Sequence, residues 1–175
     1  MGWTAKNRKY SYRRNLPRIQ KDSHALFVTF RTCEELVLPP VARDIVLETC
    51  LHEHRERIEL HGMVVMPTHV HMVFTPLLDR TQQAYTLAEV LNAIKSVSAH
   101  KINRRLFRSG HVWQDESFDH VLRHNESIAA KILYLMENPV AAGLVRNPLE
   151  YKWLWRQGAD DISTREGACA TPSGE

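Results

Sequence analysis

The sequence predicts an α+β fold, one mostly antiparallel sheet with helices on one face. Three observations carry that reading. Short stretches rich in β-branched and aromatic residues, 24–32, 58–66 and 69–75, read as buried strands. Between and after them, 41–57 and 87–106 place apolar residues at helical spacing. A tight corner at Pro67-Thr68 joins two of the strands as an antiparallel hairpin. The order strand, helix, strand, strand, helix, strand, helix closes naturally as a split βαβ arrangement.

At 175 residues, 43% apolar and 25% charged, the chain suits one globular domain with a real core. A net charge of +3 is compatible with nucleic acid but does not require it. Cys33, Cys50 and Cys169 are an odd, unpatterned set, which argues for a reducing compartment and against a disulfide framework. The polar, basic N-terminus has no signal-peptide core, and no run approaches the length of a membrane span. These features describe a cytoplasmic, nucleoid-associated protein with no membrane partner. The expected organisation is a basic arm over 1–22, a single domain over 23–157 and a polar tail over 158–175.

The arm carries Lys6, Arg8, Lys9, Arg13, Arg14, Arg18 and Lys21 interleaved with Tyr10 and Tyr12, and no acidic residue precedes Asp22. It reads either as a solvated arm or as one that contacts phosphates, with Arg13 and Arg14 as candidate DNA-binding residues. His24 to Thr32 is the first strand. Pro39-Pro40 stops the chain and opens a helix from Val41 to Arg57, with Val41, Ile45, Val46, Cys50 and Leu51 inward. His52 and His54, at its polar end, read as surface residues.

Ile58 to Met66 and His69 to Thr75 form the hairpin, and Pro76 to Thr86 is a loop. Leu87 to Leu106 is a helix with Leu87, Val90, Leu91, Ile94, Val97 and Ile102 on the buried side. Its other face offers Lys95, Ser96, Ser98, His100, Lys101, Arg104 and Arg105. That face reads as solvated or as a phosphate-backbone surface, with Lys95, Lys101, Arg104 and Arg105 as the candidate contacts. His111 to Arg123 is a fourth strand or extended segment. The last helix starts near Asn125 and should end at about Glu137, because Pro139 disfavours a helical Asn138. Leu144, Val145, Trp153 and Trp155 then pack back on the body.

The chemistry centres on His69 and His71. Side chains alternate along a strand, so the two imidazoles share one face and can hold a divalent metal. Tyr134 and Asn138 are an i,i+4 pair on one face of the last helix. If that helix packs near the histidines, a phenol and an amide oxygen meet the metal together. That spacing is common by chance and carries little alone.

The combination is more specific. "MPTHVHMVF", a Lys-Ser helix, "VWQDESFDHVLR" and "KILYLMENPVAAGLV" resemble, in that order, the single-tyrosine transposases of insertion sequences. These are HUH (His-hydrophobic-His) enzymes, and the resemblance is greatest to the REP-associated tyrosine transposases. It runs from about His24 to Trp155. It implies a ferredoxin-like or palm-type, HUH nuclease-like sheet with His69 and His71 as metal ligands on a central strand. It makes Tyr134 the nucleophile, and Asn138 the residue completing the metal site. The implied partner is single-stranded DNA bearing hairpins, such as REP-like or insertion-sequence ends. The implied activity is that of an endonuclease and strand transferase, which cuts beside the hairpin through a 5′-phosphotyrosine and frees a 3′-hydroxyl.

Two departures are visible: relatives usually carry Lys or Arg where this chain has Ala141, and often Asn where it has Thr68. His120 and His124 are possible DNA contacts in a family-like block, and Trp113 reads as core.

A phenol with a solution pKa of about 10 needs activation to attack phosphorus at neutral pH. Mg²⁺ is the expected ion, with Mn²⁺ able to substitute because histidines suit transition ions better. Two other readings stay open: a hairpin-binding protein that does not cut, and a metallohydrolase of small phosphoesters. The chain can act as a monomer or a homodimer.

Overall fold

A computed structural model describes residues 24–33, 36–122 and 127–158. The N-terminal arm with Arg13 and Arg14, and His124, lie outside the described residues. The elements run β1 (Leu26–Thr32), α1 (Pro40–Glu53), β2 (Ile58–Val65), β3 (His69–Pro76), α2 (Leu87–Arg105), β4 (Trp113–Val121), α3 (Ile128–Ala141), a 3-10 turn (Pro148–Glu150) and β5 (Leu154–Arg156). The strands form one antiparallel sheet in the order β4-β1-β3-β2-β5. β1 and β3 are therefore central, and β2–β3 is the expected hairpin, closed by Met66 N–H donating to the His69 carbonyl at 2.8 Å.

The antiparallel α+β sheet is as expected, but the helices divide between its faces. Alternation explains why. The even residues Val28, Phe30, Val70, Met72 and Phe74 pack with Ala42, Val46 and Cys50 of α1 and Val90, Leu91, Ile94 and Ile102 of α2. On the other face Phe27, Val64, Met66 and Val73 meet Leu135 of α3 and Tyr151. So β1 and β3 are apolar on both sides, which hydrophobic content alone does not assign to one helix or another.

α1 stops at Glu53, before the expected Arg57. His54 is extended, Arg55 takes a positive φ of 72° and Arg57 turns back to pair with Glu53. His54 is not a free surface residue: its Nδ1 accepts from Leu60 N–H at 3.0 Å and its ring lies 5.6 Å from Trp155. α2 begins with a capping box in which Thr86 and Glu89 satisfy each other's backbone N–H groups. Its buried stripe is Val90, Leu91, Ile94, Ser98 and Ile102, so Ser98 replaces Val97, which is exposed. The Ser98 hydroxyl donates to the Ile94 carbonyl and accepts from the indole of Trp113, which stacks edge-on against Phe30. A helical serine that looks solvated in sequence is thus the polar partner of a core tryptophan.

α3 carries the largest difference. Ser127 caps it, and it runs through Pro139 to Ala141 instead of ending at Glu137. Pro139 removes one backbone donor, yet its ring is buried, and the Asn138 side chain donates to the Tyr134 carbonyl at 2.6 Å. Burial in the last turn outweighs the local preference before proline. Asn138 stays helical, directly one turn beyond Tyr134. Gly62 on β2 lets α3 sit this low, because a Cβ there would overlap Ile132 Cδ1 and touch Leu135. β5, unforeseen as a strand, pairs with β2 and brings Trp153 against Arg43, whose guanidinium lies 3.6 Å from the ring centroid. Among the described residues, no helix is long and apolar enough to cross a membrane.

Candidate active site

β3 places His69 and His71 on the α3 face, with ring centroids 4.7 Å apart. Their cross-strand neighbours on β1 are Arg31 and Thr29, respectively. His71 is 7% exposed, and its Nδ1 shares a 2.6 Å hydrogen bond with the Thr29 hydroxyl. That contact fixes the ring and reserves Nε2 for whatever faces it. His69 Nδ1 lies 3.2 Å from the Thr68 hydroxyl at the corner.

Both imidazoles are held neutral. Burial, then the neighbouring His69 and the Arg31 guanidinium, pushes His71 down to about 4, against a weaker opposing hydrogen bond to Asn138. Burial and then Arg31 likewise lower His69. A neutral imidazole keeps a lone pair for a metal at pH 7, and a protonated one does not.

α3 completes the group. The Tyr134 ring lies 5.7 Å from His71, and Phe27 bridges them, stacked on His71 at 5.7 Å and edge-on to Tyr134 at 5.8 Å. Lys131, one helical turn before Tyr134, holds its ammonium 5.4 Å from the Phe27 ring. Tyr134 is 47% exposed, so its side chain is open to solvent. The Asn138 amide gives its N–H to the Tyr134 carbonyl, which leaves the oxygen to face His71.

The structure thus brings His69, His71, Tyr134 and Asn138 together, as the sequence suggested. Among the described residues, no cluster of three His, Cys, Asp or Glu side chains is placed to hold a metal. The fit therefore rests on two neutral imidazoles and one amide oxygen, a donor set that suits a divalent ion while leaving positions open for phosphate oxygens.

The candidate DNA contacts are not part of this group. Lys95 is half-buried and directs its ammonium to the carbonyls of Gln114, Asp115 and Glu116 at 2.9, 3.3 and 3.5 Å, so it ties α2 to β4. Burial lowers its pKa. Lys101, Arg104 and Arg105 are exposed on α2, the helix of the opposite face. Phe27, Thr29, Arg31 and Lys131 are site residues that the sequence did not single out. Alternation along the first strand was the available signal, since its odd residues share a face.

A family model described as "Transposase IS200 like" matches residues 40–131, more than half of the chain and short of Tyr134. No curated protein matches the sequence. Among solved structures, the chain is similar to a REP-associated tyrosine transposase bound to a REP hairpin. Identity is 18%, coverage 89% of this chain and 88% of that chain, and the TM-score 0.64. Weaker likeness links it to a transposase-like protein of Deinococcus radiodurans R1, at 17% identity over 77% of this chain and 97% of that one, TM-score 0.47. The same TM-score relates it to a bacterial tRNA(His) guanylyltransferase-like protein in complex with ATP, at 15% identity over 77% and 70% of the two chains. The first of these structures shares the five-stranded antiparallel fold, and the chain belongs to the IS200-like transposase family.

Proposed function

We propose that the protein is a metal-dependent single-stranded DNA endonuclease and strand transferase acting at hairpin-bearing DNA. The observation that carries this reading is the Tyr134 ring 5.7 Å from a buried, neutral His71, with His69 and Asn138 beside it. The REP hairpin held by the similar transposase supports the choice of substrate.

In this reading His69, His71 and the Asn138 oxygen hold a divalent cation, Mg²⁺ with Mn²⁺ able to substitute. When bound, that ion draws charge from the scissile phosphate. Tyr134 Oη attacks phosphorus in line, an O–P bond forms to the phenol and the bond to O3′ breaks. The phenol proton passes to solvent and the leaving 3′-oxygen takes one up. The product is a 5′-phosphotyrosine and a free 3′-hydroxyl. A second 3′-hydroxyl reverses the step without ATP, because the phosphodiester energy is kept. Thr29 and Phe27 hold His71 in place, and the open side of Tyr134 admits the strand.

The test is a denaturing gel of protein incubated with a hairpin-bearing single strand and Mg²⁺. A protein–DNA adduct is expected that disappears with EDTA and in Tyr134→Phe. Turnover without an adduct would instead indicate a phosphoesterase, and salt-sensitive binding without an adduct a non-cleaving hairpin binder.

A further inference from the structure

We infer that Phe107 and the cations just before it, Lys101, Arg104 and Arg105, form a stacking site for an unpaired base of the bound DNA. The inference rests on the reading of the protein as one that handles hairpin-bearing single strands.

A lone exposed apolar side chain is ordinary, and basic residues at a helix C-terminus offset the helix dipole. Neither accounts for Phe107. It is 97% exposed and sits at a φ of 50°, in the left-handed region that non-glycine residues avoid. Its exposure comes from a braced turn. Leu106 N–H donates to the Ile102 carbonyl at 2.9 Å and Arg108 N–H to the Asn103 carbonyl at 3.0 Å. The Asn103 side chain donates to the Gly110 carbonyl at 2.8 Å, and Arg108 Nη2 to the His111 carbonyl at 3.3 Å. These bonds form a Schellman helix cap, which accounts for the positive φ of Phe107 after the C-cap Leu106 and leaves the ring out in solvent.

The surrounding chemistry selects the occupant. Lys101, Arg104 and Arg105 fall within one turn of α2, all exposed, and among the described residues none of the three forms an ion pair. An exposed aromatic ring two to six residues along the chain from unneutralised cations matches one nucleotide, with the base on the ring and the phosphate on the cations.

The turn also lies at the histidine end of the sheet. Cys33 N–H donates to the Val112 carbonyl and Thr32 N–H to the Thr68 carbonyl, both at 2.9 Å, which places the start of β4 and the corner before His69 at the same end of the strands.

The experiment uses full-length protein in the Tyr134→Phe background with EDTA, so that binding is read without chemistry. Titrations compare a hairpin carrying single-stranded flanks with a blunt duplex of the same stem. Phe107→Gly, which relieves the positive φ, is expected to match or raise the melting temperature. It should weaken binding of the flanked hairpin by roughly 5- to 100-fold, with little change for the blunt duplex. The salt slope of the variant is expected to stay as in the parent, whereas Arg104→Gln with Arg105→Gln lowers it. Phe107→Trp should keep the affinity and show indole quenching on binding.

Unchanged affinity for the flanked hairpin in Phe107→Gly would overturn the inference, as would equal losses on both ligands. If wild-type protein forms the Tyr134 adduct while Phe107→Gly binds normally, only this inference fails. If no adduct forms but the Phe107 contrast appears, only the cleavage reading fails. A parent that binds neither DNA overturns both.

Discussion

The two faces of the sheet do different work. The α1/α2 face is a continuous apolar core, from Phe30, Met72 and Phe74 to Ile94 and Ile102, all buried. Its buried polar groups are matched, Ser98 to the Trp113 indole, Thr49 to the Ile45 carbonyl and Glu53 to Arg57. The α3 face is smaller, covered by one helix, and mixes Phe27, Val73 and Leu135 with Thr29 and His71. The larger apolar cluster lies on the α1/α2 face, while the α3 face combines a smaller one with the polar groups of the candidate site. The same two strands serve both, because consecutive side chains point opposite ways.

The largest expected effect breaks the stable face alone. Ile94→Ala removes a fully buried side chain and should cost about 2–5 kcal/mol in denaturant unfolding. Adduct formation per folded molecule should stay as in wild type, and a matching loss of activity would mean that the faces are coupled. Gly62→Val attacks the other face, since its side chain would push the end of Ile132 aside and press on Leu135 beneath α3. A smaller cost of about 1–3 kcal/mol is expected, but with a clear fall in adduct rate as Tyr134 moves away from His71. An unchanged rate would show that α3 need not dock closely.

Thr29→Val is expected to cost about 1–3 kcal/mol, because it leaves the buried His71 Nδ1 without its partner, and to weaken divalent-ion affinity by roughly 10- to 100-fold, read by Mn²⁺ titration. It removes the hydroxyl that orients the His71 ring. The smallest effect lies outside both faces. The Lys152 ammonium at 2.8 Å, with the Trp153 indole, holds the Asp44 carboxyl below its usual range. A lowered folded-state pKa contributes stability above the ordinary carboxylate pKa, and that contribution is lost as pH falls through the folded value. The pair is partly exposed, so Asp44→Asn should cost only a few tenths of a kcal/mol at pH 7. The variant and wild-type melting curves should converge in acid.

Much of this was legible in the chain. The strands 24–32, 58–66 and 69–75 and both long helices are set by local periodicity, and the His69–His71 pair by alternation. What periodicity cannot carry is the choice of face when a strand is apolar on both, as β1 and β3 are, and so the disposition of α3. Lys95 and Ser98 looked like surface polar residues because their partners, the β4 carbonyls and the Trp113 indole, are distant in sequence. Pro139 misled for the opposite reason: a local rule was outweighed by burial of its ring. The i,i+4 relation of Tyr134 and Asn138 was visible, whereas the supporting Phe27, Thr29 and Arg31 depended on register.

The most direct test of the central claim is paramagnetic broadening by Mn²⁺, followed in the aromatic NMR signals of the full-length protein. Stoichiometric Mn²⁺ should broaden the ring resonances of Tyr134, Phe27 and His71 first, and the effect should vanish in a His69→Ala, His71→Ala variant that remains folded. Tyr134 signals that stay sharp while the histidines broaden, or broadening that survives loss of both histidines, would contradict a single centre joining α3 to the imidazole pair.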